Sequence, residues 1–149
     1  IEKTIRQNMD VSKTLAEKLA GHSHIFCLGR GLLFPIALEA ALKIKEISYI
    51  HAEGFCGGAL KHGPFALIES QLPIVLFDIN DKYRDKNYNC FQEIYARGAN
   101  IIYITDNIHL KTNEFSDDLI RNFENKLTKP KKSAKLSGVE IFSENNNEK

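Results

Sequence analysis

Three short apolar runs constrain this fold more than any other feature of the chain. They are Ile25-Phe26-Cys27-Leu28, Pro73-Ile74-Val75-Leu76-Phe77-Asp78-Ile79 and Asn100-Ile101-Ile102-Tyr103-Ile104-Thr105. None alternates apolar with polar side chains, so each reads as a strand buried on both faces, which is the pattern of a parallel sheet covered by helices. Between them the periodicity becomes helical. From Pro35 to Ser48 the residues Ile36, Ala37, Ala40, Ala41, Ile44 and Ile47 recur at spacings of three and four. Pro35 suits a first helical turn, where its missing N–H has no helical partner. A second helix, from about Lys82 to Ala96, ends at Arg97-Gly98, a glycine C-cap. Strand–helix–strand units at this pitch give right-handed crossovers, and hence an α/β three-layer αβα sandwich around a central parallel sheet.

The remaining segments fit around that frame. Residues 1–20 read as a leading amphipathic helix with Ile5, Met9, Leu15 and Leu19 on one stripe. Ile50 to Phe55 reads as an extended second strand and Pro64 to Ile68 as a helical turn or two. The core domain is therefore expected over 21–106. Residues 107–137 read as a Lys-rich insertion. A helix fits Ser116 to Lys126, and a solvated loop fits Thr128 to Lys135, with Lys129, Lys131, Lys132 and Lys135 around Pro130. Residues 138–149 hold a last strand, Gly138 to Phe142, and a polar tail.

Charge and cysteines exclude several function classes. A net charge of +1 gives no electrostatic case for nucleic acid or an anionic membrane. No apolar run approaches the ~18 residues of a membrane span. The three cysteines, Cys27, Cys56 and Cys90, show no disulfide or metal-ligand spacing, which suits thiols in a cytoplasmic protein. A zinc site from His22, His24, His51 and Cys56 has no supporting spacing, and no cofactor is implied. Because the chain opens on Ile1, it is expected to be a piece of a longer polypeptide.

Chemistry-bearing residues crowd around the first internal helix. Glu39, Lys43 and Glu46 share one of its faces. Glu46 is the best candidate for a base or acid moving a proton between adjacent carbons, with Lys43 stabilising an oxyanion; spacing alone equally describes a solvated ion-pair ladder. His62, in the loop Lys61-His62-Gly63-Pro64, has the chemistry of a proton relay or of an ordinary loop histidine. His51 and Glu53 read as strand residues. Gly29-Arg30-Gly31 before a helix invites an anion, but a GxG without the rest of a dinucleotide fingerprint is a weak signal, and Arg30 equally suits pairing with a carboxylate.

Three runs together carry a resemblance: Leu28-Gly29-Arg30-Gly31, the stretch from Pro35 through Leu42-Lys43-Ile44-Lys45-Glu46-Ile47-Ser48-Tyr49-Ile50-His51-Ala52-Glu53, and Leu60-Lys61-His62-Gly63-Pro64 through Ile68. From about Cys27 to Leu76, and more loosely to Asp106, the chain resembles the isomerase part of the glutamine–fructose-6-phosphate aminotransferase (glucosamine-6-phosphate synthase) family. It is most similar to the second of that family's two sugar-isomerase (SIS) repeats. The resemblance implies an enzyme unit that handles fructose 6-phosphate and glucosamine 6-phosphate on the way to UDP-N-acetylglucosamine, with ammonia supplied by a separate glutaminase domain. It assigns proton transfer to Glu46, hydroxyl polarisation to Lys43 and ring opening to His62, the last reaching a neighbouring subunit's site in a homodimer. It also implies that the Ser/Thr-rich phosphate loop belongs to the first repeat, so this chain alone should not complete the reaction. Two departures stand out. Ala59 replaces the family's Glu before LKHGP, putting loop geometry and dimerisation in question, and Ala40 replaces a glycine, which favours the helix. The contrasting expectation is a non-catalytic module that binds a phosphosugar and regulates a partner.

Overall fold

A computed structural model describes residues 2–106, 134–136 and 139–143. The elements are α1 (Glu2–Leu19), β1 (His24–Gly29), α2 (Leu33–Ser48), β2 (His51–Cys56), β3 (Pro73–Asp78), α3 (Arg84–Ala96), β4 (Asn100–Thr105), β5 (Ala134–Leu136) and β6 (Val139–Ser143). Two short 3-10 turns, Leu60–His62 and Pro64–Leu67, lie between β2 and β3. The sheet order is β2-β1-β3-β4-β6-β5. All neighbours run parallel except β5, which pairs antiparallel with β6.

The apolar runs of the sequence are the central strands, and they are buried on both faces as a doubly covered sheet demands. Ile25, Cys27, Val75 and Ile102 point to one side, where Ala37 and Ala41 of α2 and Leu15 and Leu19 of α1 cover them. Phe26, Leu28, Ile74, Leu76, Ile101 and Tyr103 point to the other, against Cys90, Phe91 and Ile94 of α3 and Leu60 and Ile68 of the turns. The helix expected from Lys82 starts at Arg84 because Asp81 first holds a turn, its Oδ1 accepting the Tyr83 N–H at 2.7 Å. Gly98, at φ +77, closes α3 as the sequence suggests.

One expectation needs correction. Ala134 and Lys135, read as the end of a solvated loop, belong to edge strand β5, with Lys135 in register opposite Glu140. The apolar–polar–apolar order of Ala134-Lys135-Leu136 is a strand signal that the surrounding lysines conceal. The helix expected over Ser116–Lys126 and most of the Lys-rich segment lie outside the described residues.

Burial explains the thiols and one carboxylate. It pushes Cys27 up to about 12 and Cys90 up to about 11, so both behave as small core side chains rather than nucleophiles. Asp78, 4% exposed at the end of β3, accepts hydrogen bonds from Asn87 Nδ2 (2.6 Å) and Tyr103 OH (2.5 Å), tying β3 to α3 and β4. Desolvation nevertheless raises its pKa above the ordinary carboxylate value, the two hydrogen bonds countering only part of that effect.

A raised folded-state pKa means that Asp78 contributes most to stability below the ordinary carboxylate pKa and loses that contribution as pH rises through the folded value. Asp78→Asn keeps a partner for both neighbours, so its stability relative to the wild type should improve from pH 4 to pH 7. Asp78→Ala removes the acceptor of both buried hydrogen bonds and should cost about 1–3 kcal/mol in urea unfolding. Equal losses for both substitutions at both pH values would contradict this account.

Candidate functional site

Helix α2 presents the candidate acid–base pair. Lys43 Nζ lies 2.8 Å from Glu46 Oε2 and 3.6 Å from Glu39 Oε1. The Glu46 hydrogen bond, followed by its charge and that of Glu39, raises the Lys43 pKa, so Lys43 stays a cation across the neutral range. The side chains of all three are half or more exposed. Close packing explains why this face looks outward. Ala37 and Ala41 bury the inner face of α2 with minimal bulk. Gly54 of β2 lets the helix approach so closely that a Cβ there would sit 2.8 Å from the Leu38 Cα. Several larger side chains on and beside α2 are exposed: Leu32 (82% exposed), Ile36, Leu38, Leu42, Ile47 (78%) and Tyr49 (92%). A charged ladder set in so much exposed apolar surface is a face suited to being covered by another folded unit.

His62 stands elsewhere. It ends the first 3-10 turn, which Leu60 anchors among the α3-facing core residues, whereas α2 covers the opposite face of the sheet. Helix α2 runs antiparallel to the strands it connects, so Glu46 in its last turn lies toward the amino edge of the sheet. The His62 loop leaves β2 at the carboxyl edge. A six-residue strand spans roughly 20 Å, and the sheet intervenes as well. The structure therefore pairs Lys43 with Glu46 and keeps both apart from His62.

The loop itself is well made. Gly57 N–H donates to Gly29 O (3.0 Å), Ala59 N–H to Cys56 O (2.8 Å), His62 N–H to Ala59 O (3.0 Å) and Ala66 N–H to Gly63 O (2.9 Å). These backbone bonds form the turn with Ala59 in place of a carboxylate. Arg30 lies against the Gly57–Gly58 turn, where a Cβ on Gly58 would meet its guanidinium at 2.7 Å, and its buried Nε has no hydrogen-bond partner among the described residues. Gly31, at φ +58, sits beneath the Tyr83 ring, which comes within 2.6 Å of where a Cβ would be. Tyr83 follows β3, so its ring brings the segment after β3 against the turn after β1.

The other candidates play smaller parts. His51 Nε2 lies 3.7 Å from Glu53 Oε1, and its ring meets His24 edge-on at 5.4 Å between centroids. His51 and Cys56 occupy opposite ends of β2. Among the described residues no three His, Cys, Asp or Glu side chains gather as metal ligands, and no helix is long and apolar enough to cross a membrane. Periodicity alone did not reveal the exposed α2 surface. Its signal was there nonetheless, since Ile36, Leu42 and Ile47 widen the apolar arc of α2 beyond a single core-facing stripe.

Comparison with known proteins adds identity to this geometry. The family profile described as SIS domain matches residues 18–126. The glutamine–fructose-6-phosphate aminotransferase (isomerizing) of Rhizobium leguminosarum bv. viciae is 49% identical over 92 residues, which are 62% of this chain and 15% of that protein. Its namesake in Bradyrhizobium diazoefficiens is 51% identical over 92 residues, with the same coverage of 62% and 15%. The chain thus spans about 15% of the length of these relatives. Among solved structures, the C-terminal domain of glucosamine-fructose-6-phosphate aminotransferase from Francisella tularensis superposes with a TM-score of 0.67 at 44% identity, covering 69% of this chain and 29% of that one. Glucosamine-6-phosphate deaminase from Thermotoga maritima superposes with a TM-score of 0.56 at 26% identity, covering 65% and 31%.

Exposed ion pairs add little to stability. Lys43→Met and Glu46→Gln should therefore leave the midpoint of urea unfolding within error of the wild type. A loss like that of a truncated core side chain would mean that the ladder holds the fold together.

Proposed function

The chain belongs to the SIS domain family, and we propose that it serves as the second sugar-isomerase repeat of a glucosamine-6-phosphate synthase. The observation that carries this reading is the Lys43–Glu46 pair, set at 2.8 Å on an outward, apolar-rimmed face of α2. The family's reaction asks for such a pair. The ketose fructose 6-phosphate opens, ammonia condenses at C2 with loss of water to an imine, and the C1–H proton then moves to C2 while the C1 hydroxyl proton passes to the nitrogen, giving the aldose glucosamine 6-phosphate.

In this reading the Glu46 carboxylate takes the C1 proton and returns it to C2, ending the cycle ionised as it began. Lys43 does two things. Its ammonium holds the Glu46 carboxylate at 2.8 Å, and it polarises the substrate hydroxyls as negative charge develops on oxygen. His62, on the far side of the sheet, serves ring opening in the site of a neighbouring copy, so a homodimer is part of the proposal. The exposed side chains Leu32, Ile36, Leu42 and Ile47 fit coverage by the first sugar-isomerase repeat, which would hold the sugar phosphate. A glutaminase domain would supply the ammonia. This account places the work in the cytoplasm, where sugar phosphates are available.

The test is Glu46→Gln in the complete gene product, following product formation and solvent deuterium in the sugar. We expect kcat to fall at least ~100-fold with KM changed only a few-fold, because the lost group acts in proton transfer. Deuterium incorporation should fall in parallel. Unchanged kcat would contradict the role of Glu46. Saturable sugar-phosphate binding without turnover in the wild type would favour a regulatory module instead.

A further inference from the structure

The loop that carries His62 is too short to hold its own shape. Its two 3-10 turns, Leu60–His62 and Pro64–Leu67, are of a length that needs tertiary packing. Among the described residues no hydrogen bond or ion pair fixes the His62 imidazole, and the residue is exposed. Its pose must therefore come from the backbone on either side, and α3 grips both sides. Before His62, Lys61 Nζ lies 2.7 Å from Glu93 Oε1. After it, the Arg97 guanidinium sits 4.3 Å above the centre of the Phe65 ring. Glu93 lies in the last turn of α3 and Arg97, four positions on, is the residue that caps that helix. Leu60, just before the first grip, is 1% exposed, and Phe65, the second, packs against the core.

We propose that Glu93 and Arg97 are positioning residues for His62. Together they form a two-point clamp by which α3 presents the histidine to the neighbouring copy's site. The inference rests on the proposed role of His62 and adds residues that touch neither substrate nor the reacting atoms. The clamp explains why an exposed loop keeps a defined pose without a side-chain bond to its histidine. It also links the histidine to α3 rather than to the helix that bears Glu46. Because a misplacement of about 1 Å can cost on the order of 100-fold in rate, even a half-exposed ion pair can matter for turnover while contributing little to stability.

Two measurements test this. The first is amide hydrogen exchange at His62 and Ala66 in this chain, comparing wild type, Glu93→Gln with Arg97→Leu, and the charge swap Lys61→Glu with Glu93→Lys. Exchange should quicken in the first pair and return toward wild type in the swap, while the α2 amides stay unchanged. Unaltered exchange overturns the clamp. The second is activity in the complete gene product. Glu93→Gln with Arg97→Leu should lower kcat about 10-fold at nearly constant KM, and should cause no further loss in a His62→Ala background. An equal further loss in that background overturns action through His62. Full activity of His62→Ala alone removes the catalytic premise and the positioning role with it, whereas the exchange experiment still reads the clamp.

Discussion

The close approach of α2 to β2 is the contact on which the rest of the architecture depends. Gly54 has no Cβ to hold the helix away, and a Cβ there would lie 2.8 Å from the Leu38 Cα. Ala37 and Ala41 complete a thin inner face that is fully buried. The helix therefore seals its side of the sheet with small side chains at the closest approach, and Ile44 packs against the same core. Leu38, Leu42 and Ile47, together with Glu39, Lys43 and Glu46, remain exposed. A bulkier seam would draw Leu38 or Leu42 inward and turn the ladder with them.

The two faces of the sheet then divide the chemistry. One face, under α1 and α2, carries the Lys43–Glu46 pair on its outside. The other, under α3 and the two 3-10 turns, carries His62. At the carboxyl edge Tyr83, which follows β3, packs over Gly31, which follows β1. The arrangement suits a unit that lends side chains to sites shared with other units, and the two sets of side chains would serve different sites.

Much of this was legible in the residues. The apolar runs gave β1, β3 and β4 within a residue or two because strands buried on both faces leave a strong signal. Pro35 and Gly98 marked the ends of helices for reasons local to the backbone. Lys43 and Glu46 could be paired from spacing, although only their surroundings distinguish a candidate site from a solvated ladder. What could not be read was anything set by which side of the sheet an element occupies. The separation of His62 from Glu46 depends on the layer to which Leu60 commits the loop. The grips of Glu93 and Arg97 join residues about 30 positions apart that no local pattern connects. Strand β5 was hidden for a different reason: three residues of alternation are outweighed by the lysines around them.

The most direct test of the composite-site account is subunit complementation in the complete gene product. Neither Glu46→Gln nor His62→Ala protein should turn over well by itself. If each site draws Glu46 from one copy and His62 from the other, unfolding and refolding the two variants together gives mixed dimers with one intact site. A 1:1 mixture should then recover about one quarter of wild-type activity, since half of the dimers are mixed and half of their sites are intact. Recovery no greater than the sum of the two variants would contradict the account, and would place Glu46 and His62 in the service of a single chain.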